Sequence, residues 1–160
     1  MRVQRGFSVI ELLIAIAIIL VMCAIAIPGL LRSRVAANES LALTSMRQID
    51  TAQTAYAATY SAGYANSLAQ LGPPRGINDK VSPTAAGLLD SVLGCSSQPC
   101  IRSSYGFALA TPHGTPTPSY RSIAMPLHPG ITGGRGFCND QSHHMLYDPD
   151  GNAHCTKKLE

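Results

Sequence analysis

The sequence predicts an α+β fold in which a long N-terminal α-helix packs on a small antiparallel β-sheet head. Three observations carry this expectation. Residues 7–31, FSVIELLIAIAIILVMCAIAIPGLL, form an apolar run whose one charge is Glu11. Residues 32–60 continue without proline or glycine. The second half of the chain holds four short apolar stretches separated by turn residues, the signature of strands in a small sheet.

At 160 residues the chain has room for one ordinary domain, and the apolar run leaves little more than about 100 residues for a water-soluble body. The first element, residues 7–31, rises roughly 37 Å as a helix, enough to cross a bilayer. In the second element, residues 32–61, Val35, Ala42, Met46, Ile49, Tyr56 and Tyr60 recur at helical steps and mark one apolar face. Arg32, Glu39, Arg47 and Asp50 are read as its polar positions. One helix from residue 7 to about residue 61, roughly 80 Å long, follows. Pro28 removes a backbone donor and clashes with the preceding turn, and Gly29 adds its own weakness, so a kink or local unwinding is expected over residues 24–29. The competing reading is that Pro28 marks where the helix leaves the membrane.

The head spans residues 62–160. Gly72-Pro73-Pro74 stops any helix, and residues 85–93 read as one short helix. Strands are expected over residues 104–110, 120–126, 134–138 and 144–147, with residues 111–119 as an exposed loop. Tyr56, Tyr60 and Tyr64 read as packing where the helix meets the sheet, ahead of a stacked aromatic path.

The formal charge is +3, and it falls to +1 without Arg2 and Arg5, so there is no clustered basic footprint for nucleic acid. Of five cysteines, Cys23 lies in the apolar run. Cys95, Cys100, Cys138 and Cys155 lie in the head, with no C-x-x-C among them, which points to an oxidising compartment. Three pairings are open, and the local ones, Cys95 with Cys100 and Cys138 with Cys155, are favoured. Chain entropy gives about 2 kcal/mol for the short loop and about 3 kcal/mol for the longer one.

Rival chemistry is thin. His143, His144 and His154 near Cys138 and Cys155 fit no common zinc spacing. Asp148 and Asp150 with Gly151 suggest a calcium loop, but no glutamate follows at the required distance, and a hairpin turn is preferred. There is no nucleophile elbow, phosphate loop or His-Glu-x-x-His. No enzyme, no cofactor and no metal are expected.

Three processing fates compete for the N-terminal end. A secretory signal cut near Ala24-Ile25-Ala26 is disfavoured by Pro28 and by the length of the run. Lipoprotein processing at Cys23 is disfavoured by the bulky Val21 and Met22 before it. The third rests on Gly6-Phe7-Ser8-Val9-Ile10-Glu11-Leu12-Leu13, which resembles the processing motif of the type IV pilin and pseudopilin family. The resemblance extends through Pro28, where that family commonly has proline, to Arg34. It implies cleavage by a prepilin peptidase after Gly6, leaving residues 1–6 as leader, and N-methylation of Phe7.

Under the same resemblance, Glu11 pairs with the new amine on Phe7 of a neighbouring subunit during assembly; the passive reading is a carboxylate favoured by the helix dipole near the headgroups. Residues 63–72 resemble the turn after the long helix in that family, and the Cys138–Cys155 pair resembles the cystine closing the C-terminal region of many pilins. The implied function is a major pilin of a type IV pilus, inserted in the inner membrane and then assembled with identical subunits and the pilus assembly machinery into a surface filament. A pseudopilin of a type II secretion system shares the motif. A third class is a minor tip-located subunit binding DNA, surfaces or cells, for which Arg102, Arg121, Arg135, Lys157 and Lys158 would have to converge.

Overall fold

The computed structural model describes residues 7–76, 78–110 and 116–159. The expected leader with Arg2, Arg5 and Gly6 lies outside the described residues, as does the 111–115 part of the expected loop. The chain divides into two compact units, Met1–Arg34 and Val35–Glu160.

Helix α1 (Val9–Tyr60) crosses that division. In the first unit its turns begin at Ser8, whose carbonyl accepts the amides of Glu11 and Leu12 at 3.1 and 3.2 Å. Every described residue of this unit is exposed. The helix is unbroken through Pro28 and Gly29, so the expected unwinding is not present. Proline deletes one ladder bond, and the rest of the ladder holds the turn.

In the second unit the same helix buries Ala42, Met46, Ile49, Ala52 and Tyr56, the spacing of one helical face. They share a core cluster with Tyr105, Phe107, Leu109, Tyr120, Ala124 and Phe137. These come from a six-stranded antiparallel meander in chain order: β1 (Cys100–Arg102), β2 (Tyr105–Ala110), β3 (Arg121–Pro126), β4 (Gly136–Asp140), β5 (Leu146–Asp148) and β6 (Lys157–Lys158). Register sets Phe107, Ala124, Phe137 and Tyr147 side by side across β2 to β5. The small Ala124 between two phenylalanines leaves room for the helix, as interdigitated packing requires. On the opposite face Ile101, Gly106 and Met125 share a row, with Ile101 and Met125 exposed.

The four expected strands match β2 to β5 within two residues at every boundary. Two short edge strands, β1 and β6, were not anticipated; three and two residues are too few to show alternation. The expected helix over residues 85–93 is absent. Its amides are used elsewhere: Ala86 donates to Gln70, Gly87 to Gly72, and Leu88 and Leu89 both to Leu71. Gly87 stands at positive φ, 66°, and Asp90 Oδ1 takes the amides of Val92 and Leu93 at 2.9 Å each, closing a turn.

The short helix is instead α2 (Leu68–Leu71). Ser67 caps it by accepting from the Gln70 amide, and the Gln70 side chain reaches back to the amide of Asn66 at 2.7 Å. This is the reciprocal logic of a capping box. After it the backbone of Gly72 touches that of Gly94. A Cβ on Gly94 would lie 2.2 Å from the Gly72 Cα, and one on Gly72 would lie 2.5 Å from the Gly94 carbonyl oxygen.

Candidate functional site

The residues singled out for processing and assembly lie in the first unit. Phe7 is 74 % exposed; Gly6, the cleavage position, lies outside the described residues. Glu11 sits in the first turn of α1, where unsatisfied amides and the helix dipole favour a carboxylate. The large side chains around it, Val9, Ile10, Leu12, Leu13 and Ile14, are all more than half exposed. Pro28 lies within the helix. Among the described residues this is one helix long and apolar enough to cross a membrane, with a window of mean hydropathy 3.1.

The second unit holds the polar chemistry. Cys95 is joined to Cys100 and Cys138 to Cys155. Glu39 and Asp50, read from the sequence as polar positions of the helix, are tied to the sheet side. Glu39 is 9 % exposed and meets Arg135 at 2.7 Å. The Arg135 guanidinium also lies 5.7 Å from the Phe137 ring centre and 5.6 Å from that of Tyr147, within cation–π range. Asp50 Oδ1 accepts the buried Tyr120 hydroxyl and lies 2.8 Å from His143 Nδ1.

The signal for Glu39 was present: it stands four residues after Val35 and three before Ala42, on the apolar stripe. Gln53 fits the stripe equally, and its amide exchanges two hydrogen bonds with the Ala65 backbone at 2.8 and 3.1 Å.

Burial is the largest influence on three raised tyrosines, Tyr56 among them. It raises the Tyr120 phenol well above its ordinary value, helped by the hydrogen bond to Asp50 and by that carboxylate's charge. The Tyr105 phenol is raised by burial and by Glu39, against a smaller opposing effect of Arg135. Two carboxyls move the other way. Asp140 is lowered chiefly by the side chain and amide of Ser142, and Asp90 chiefly by the Leu93 amide.

The cations that would have to converge for a tip-binding surface are divided. Arg102 pairs with Asp90 at 2.9 Å, Arg135 with Glu39, and Arg121 donates to the Ala153 carbonyl at 3.0 Å. Lys157 and Lys158 form the edge strand β6. Asp148 is buried, with its oxygens taking the amides of Asp150 and His154 at 2.9 and 3.2 Å, as in an Asx turn. Among the described residues no group of three or more His, Cys, Asp or Glu is arranged to hold a metal ion. Tyr56 and Tyr60 have ring centres 4.9 Å apart, as Tyr64 and Tyr120 do at 4.8 Å, and the Tyr56 hydroxyl is held by the Pro83 carbonyl.

No curated protein and no solved structure is significantly similar to the chain. Residues 1–27 match the family model of the prokaryotic N-terminal methylation motif. With Phe7 and Glu11 at the start of an exposed apolar helix, the chain carries the class III signal peptide of type IV pilins and pseudopilins.

Proposed function

We propose that this chain is the major structural subunit of a type IV pilus: a membrane-anchored precursor, cut after Gly6, methylated on Phe7 and polymerised through its N-terminal helix. The observation that carries the reading is the apolar surface of residues 7–31, exposed on every side and interrupted by one carboxylate, Glu11. Apolar area on this scale is stable only under lipid or other protein. A helix that first lies in lipid and then bundles with its copies meets both needs.

Glu11 gives the bundle a register. A carboxylate in hydrocarbon costs on the order of 2.5 to 3.5 kcal/mol at the bilayer centre. Pairing with the Phe7 amine of a neighbouring subunit satisfies both charges. The two disulfides suit a head facing an oxidising compartment. Pro28 and Gly29 supply a weak turn at which the helix can stretch inside a filament.

The test is intact-mass spectrometry with N-terminal fragmentation on filaments sheared from the native cells. A dominant chain beginning at methylated Phe7, with both disulfides closed, supports a major pilin. The same cut in a chain confined to membranes replaces this reading with a pseudopilin. Retention of residues 1–6 overturns the processing itself.

A further inference from the structure

The uncharged stretch of α1 ends at a pair of cations. Residues 12–31, between Glu11 and Arg32, carry no charge and rise about 30 Å, the thickness of a bilayer's hydrocarbon. With Glu11 at one headgroup layer, Arg32 falls at the other and Arg34 about 3 Å beyond it. Given the membrane-anchored form proposed above, we infer that Arg32 and Arg34 bind the headgroups of anionic phospholipids where α1 leaves the hydrocarbon, so that the chain gathers anionic lipid around that turn.

Both arginines are exposed, and neither belongs to an ion pair among the described residues. No residue three or four positions from either one is acidic, so the helix itself offers no counterion. Glu39, the next carboxylate along the chain, is taken by Arg135 and by the amides of Gly134 and Arg135.

Their placement selects a charged surface over a single small anion. Residues two apart on an α-helix point about 200° apart around the axis, so a guanidinium leaves the helix on each side at nearly one height. A compact anion meets one of them and not both. A layer of phosphodiesters surrounding the helix at that height meets both. Leu30 and Leu31, each more than half exposed, stand directly before the pair and belong among acyl chains. The long arginine stems let the charged ends reach phosphate from the edge of the hydrocarbon. Nucleic acid would need further cations on the same face, and the next cation of α1, Arg47, lies about 20 Å further along.

The chain contains no tryptophan, so Leu31→Trp supplies a single fluorescent reporter beside Arg32. The full mature chain, beginning at Phe7, is reconstituted into vesicles of phosphatidylcholine and phosphatidylglycerol in which one lipid or the other carries brominated acyl chains. Quenching then gives the relative affinity of the two lipids for the reporter's surroundings. Phosphatidylglycerol is expected to be preferred about fivefold, the scale of one elementary charge at an anionic surface. Arg32→Gln/Arg34→Gln should bring the ratio to about one, and glutamine suits an exposed helix position, so the fold is retained. Lys157→Gln/Lys158→Gln removes the same charge from β6 and should leave the preference unchanged. Equal quenching by both lipids, a preference that survives Arg32→Gln/Arg34→Gln, or an equal loss in the lysine variant would overturn the headgroup assignment while leaving the anchor in place. Absence of quenching by either lipid would overturn the membrane-anchored reading and this inference with it.

Discussion

Glu39 Oε2 receives both Nε and Nη2 of Arg135, at 2.9 and 2.7 Å, while its Oε1 takes the backbone amides of Gly134 and Arg135 at 2.8 and 3.2 Å. One carboxylate thus ties the β3–β4 connection to the long helix. Asn38, one residue earlier, adds a bond to the Thr132 carbonyl at 2.9 Å.

Glu39→Ala should destabilise the head by about 2 kcal/mol. It leaves two amides and a guanidinium without their acceptor, and partial exposure of Arg135 keeps the cost below that of a fully buried pair. Thermal unfolding followed by circular dichroism measures it. A midpoint unchanged from the parent chain would show that water replaces the carboxylate at no cost.

A gain is expected at the β1–β2 hairpin. Arg102 pairs with Tyr105, so Ser103 and Ser104 are its two-residue loop, and both stand at positive φ, 49° and 61°. That geometry belongs to a type I′ turn and favours Asn-Gly. Ser103→Asn with Ser104→Gly should raise stability by about 1 kcal/mol. The Leu127 amide still reaches the residue 104 carbonyl, since the substitutions leave the backbone acceptor in place. A lower unfolding midpoint in the double variant would count against the turn assignment.

Stability should fall at both ends of the pH scale, for opposite reasons. The carboxyls of Asp90 and Asp140 are lowered in the fold, so their contribution is present above the unfolded carboxylate value of about 4 and is lost as pH drops below it. The phenols of Tyr105 and Tyr120 are raised. Their contribution is complete below about pH 10 and is lost above it, because the unfolded chain ionises first. Tyr120→Phe should lower stability at neutral pH, by loss of the bond to Asp50, and flatten the alkaline limb. Tyrosinate absorbance recorded beside unfolding midpoints tests this; an alkaline limb as steep as that of the parent chain would exclude Tyr120 as its source.

Glu11→Ala should leave membrane insertion intact and reduce filament yield, because the lost charge matters only where a neighbouring amine waits for it. Membrane fractionation and electron microscopy of sheared material separate the two effects. Filaments of normal yield and length from the variant would eliminate the pairing role.

The strands of the head illustrate what a sequence carries. Residues 105–110 and 121–126 are short, largely apolar stretches between turn residues and are legible as β2 and β3. Residues 85–93 have helix-forming composition, yet their amides go to carbonyls at 70–72. That competition lies outside any local window. The four-residue α2 was overlooked although Ser67 and Gln70 stand at capping-box spacing.

By itself the sequence determined the N-terminal signal, the long helix, the α+β class and the central strands. Each of these depends on neighbours a few residues apart: a run of apolar side chains, a helical stripe, an alternating strand. Only the tertiary structure decided the fate of the polar groups. Glu39 meets Arg135 across 96 positions, Asp50 meets Tyr120 across 70 and His143 across 93. No local pattern encodes such partners. A carboxylate on a helix face is stable in water or against a cation, and only the path of the sheet brings Arg135 and Tyr120 to the places where Glu39 and Asp50 leave solvent.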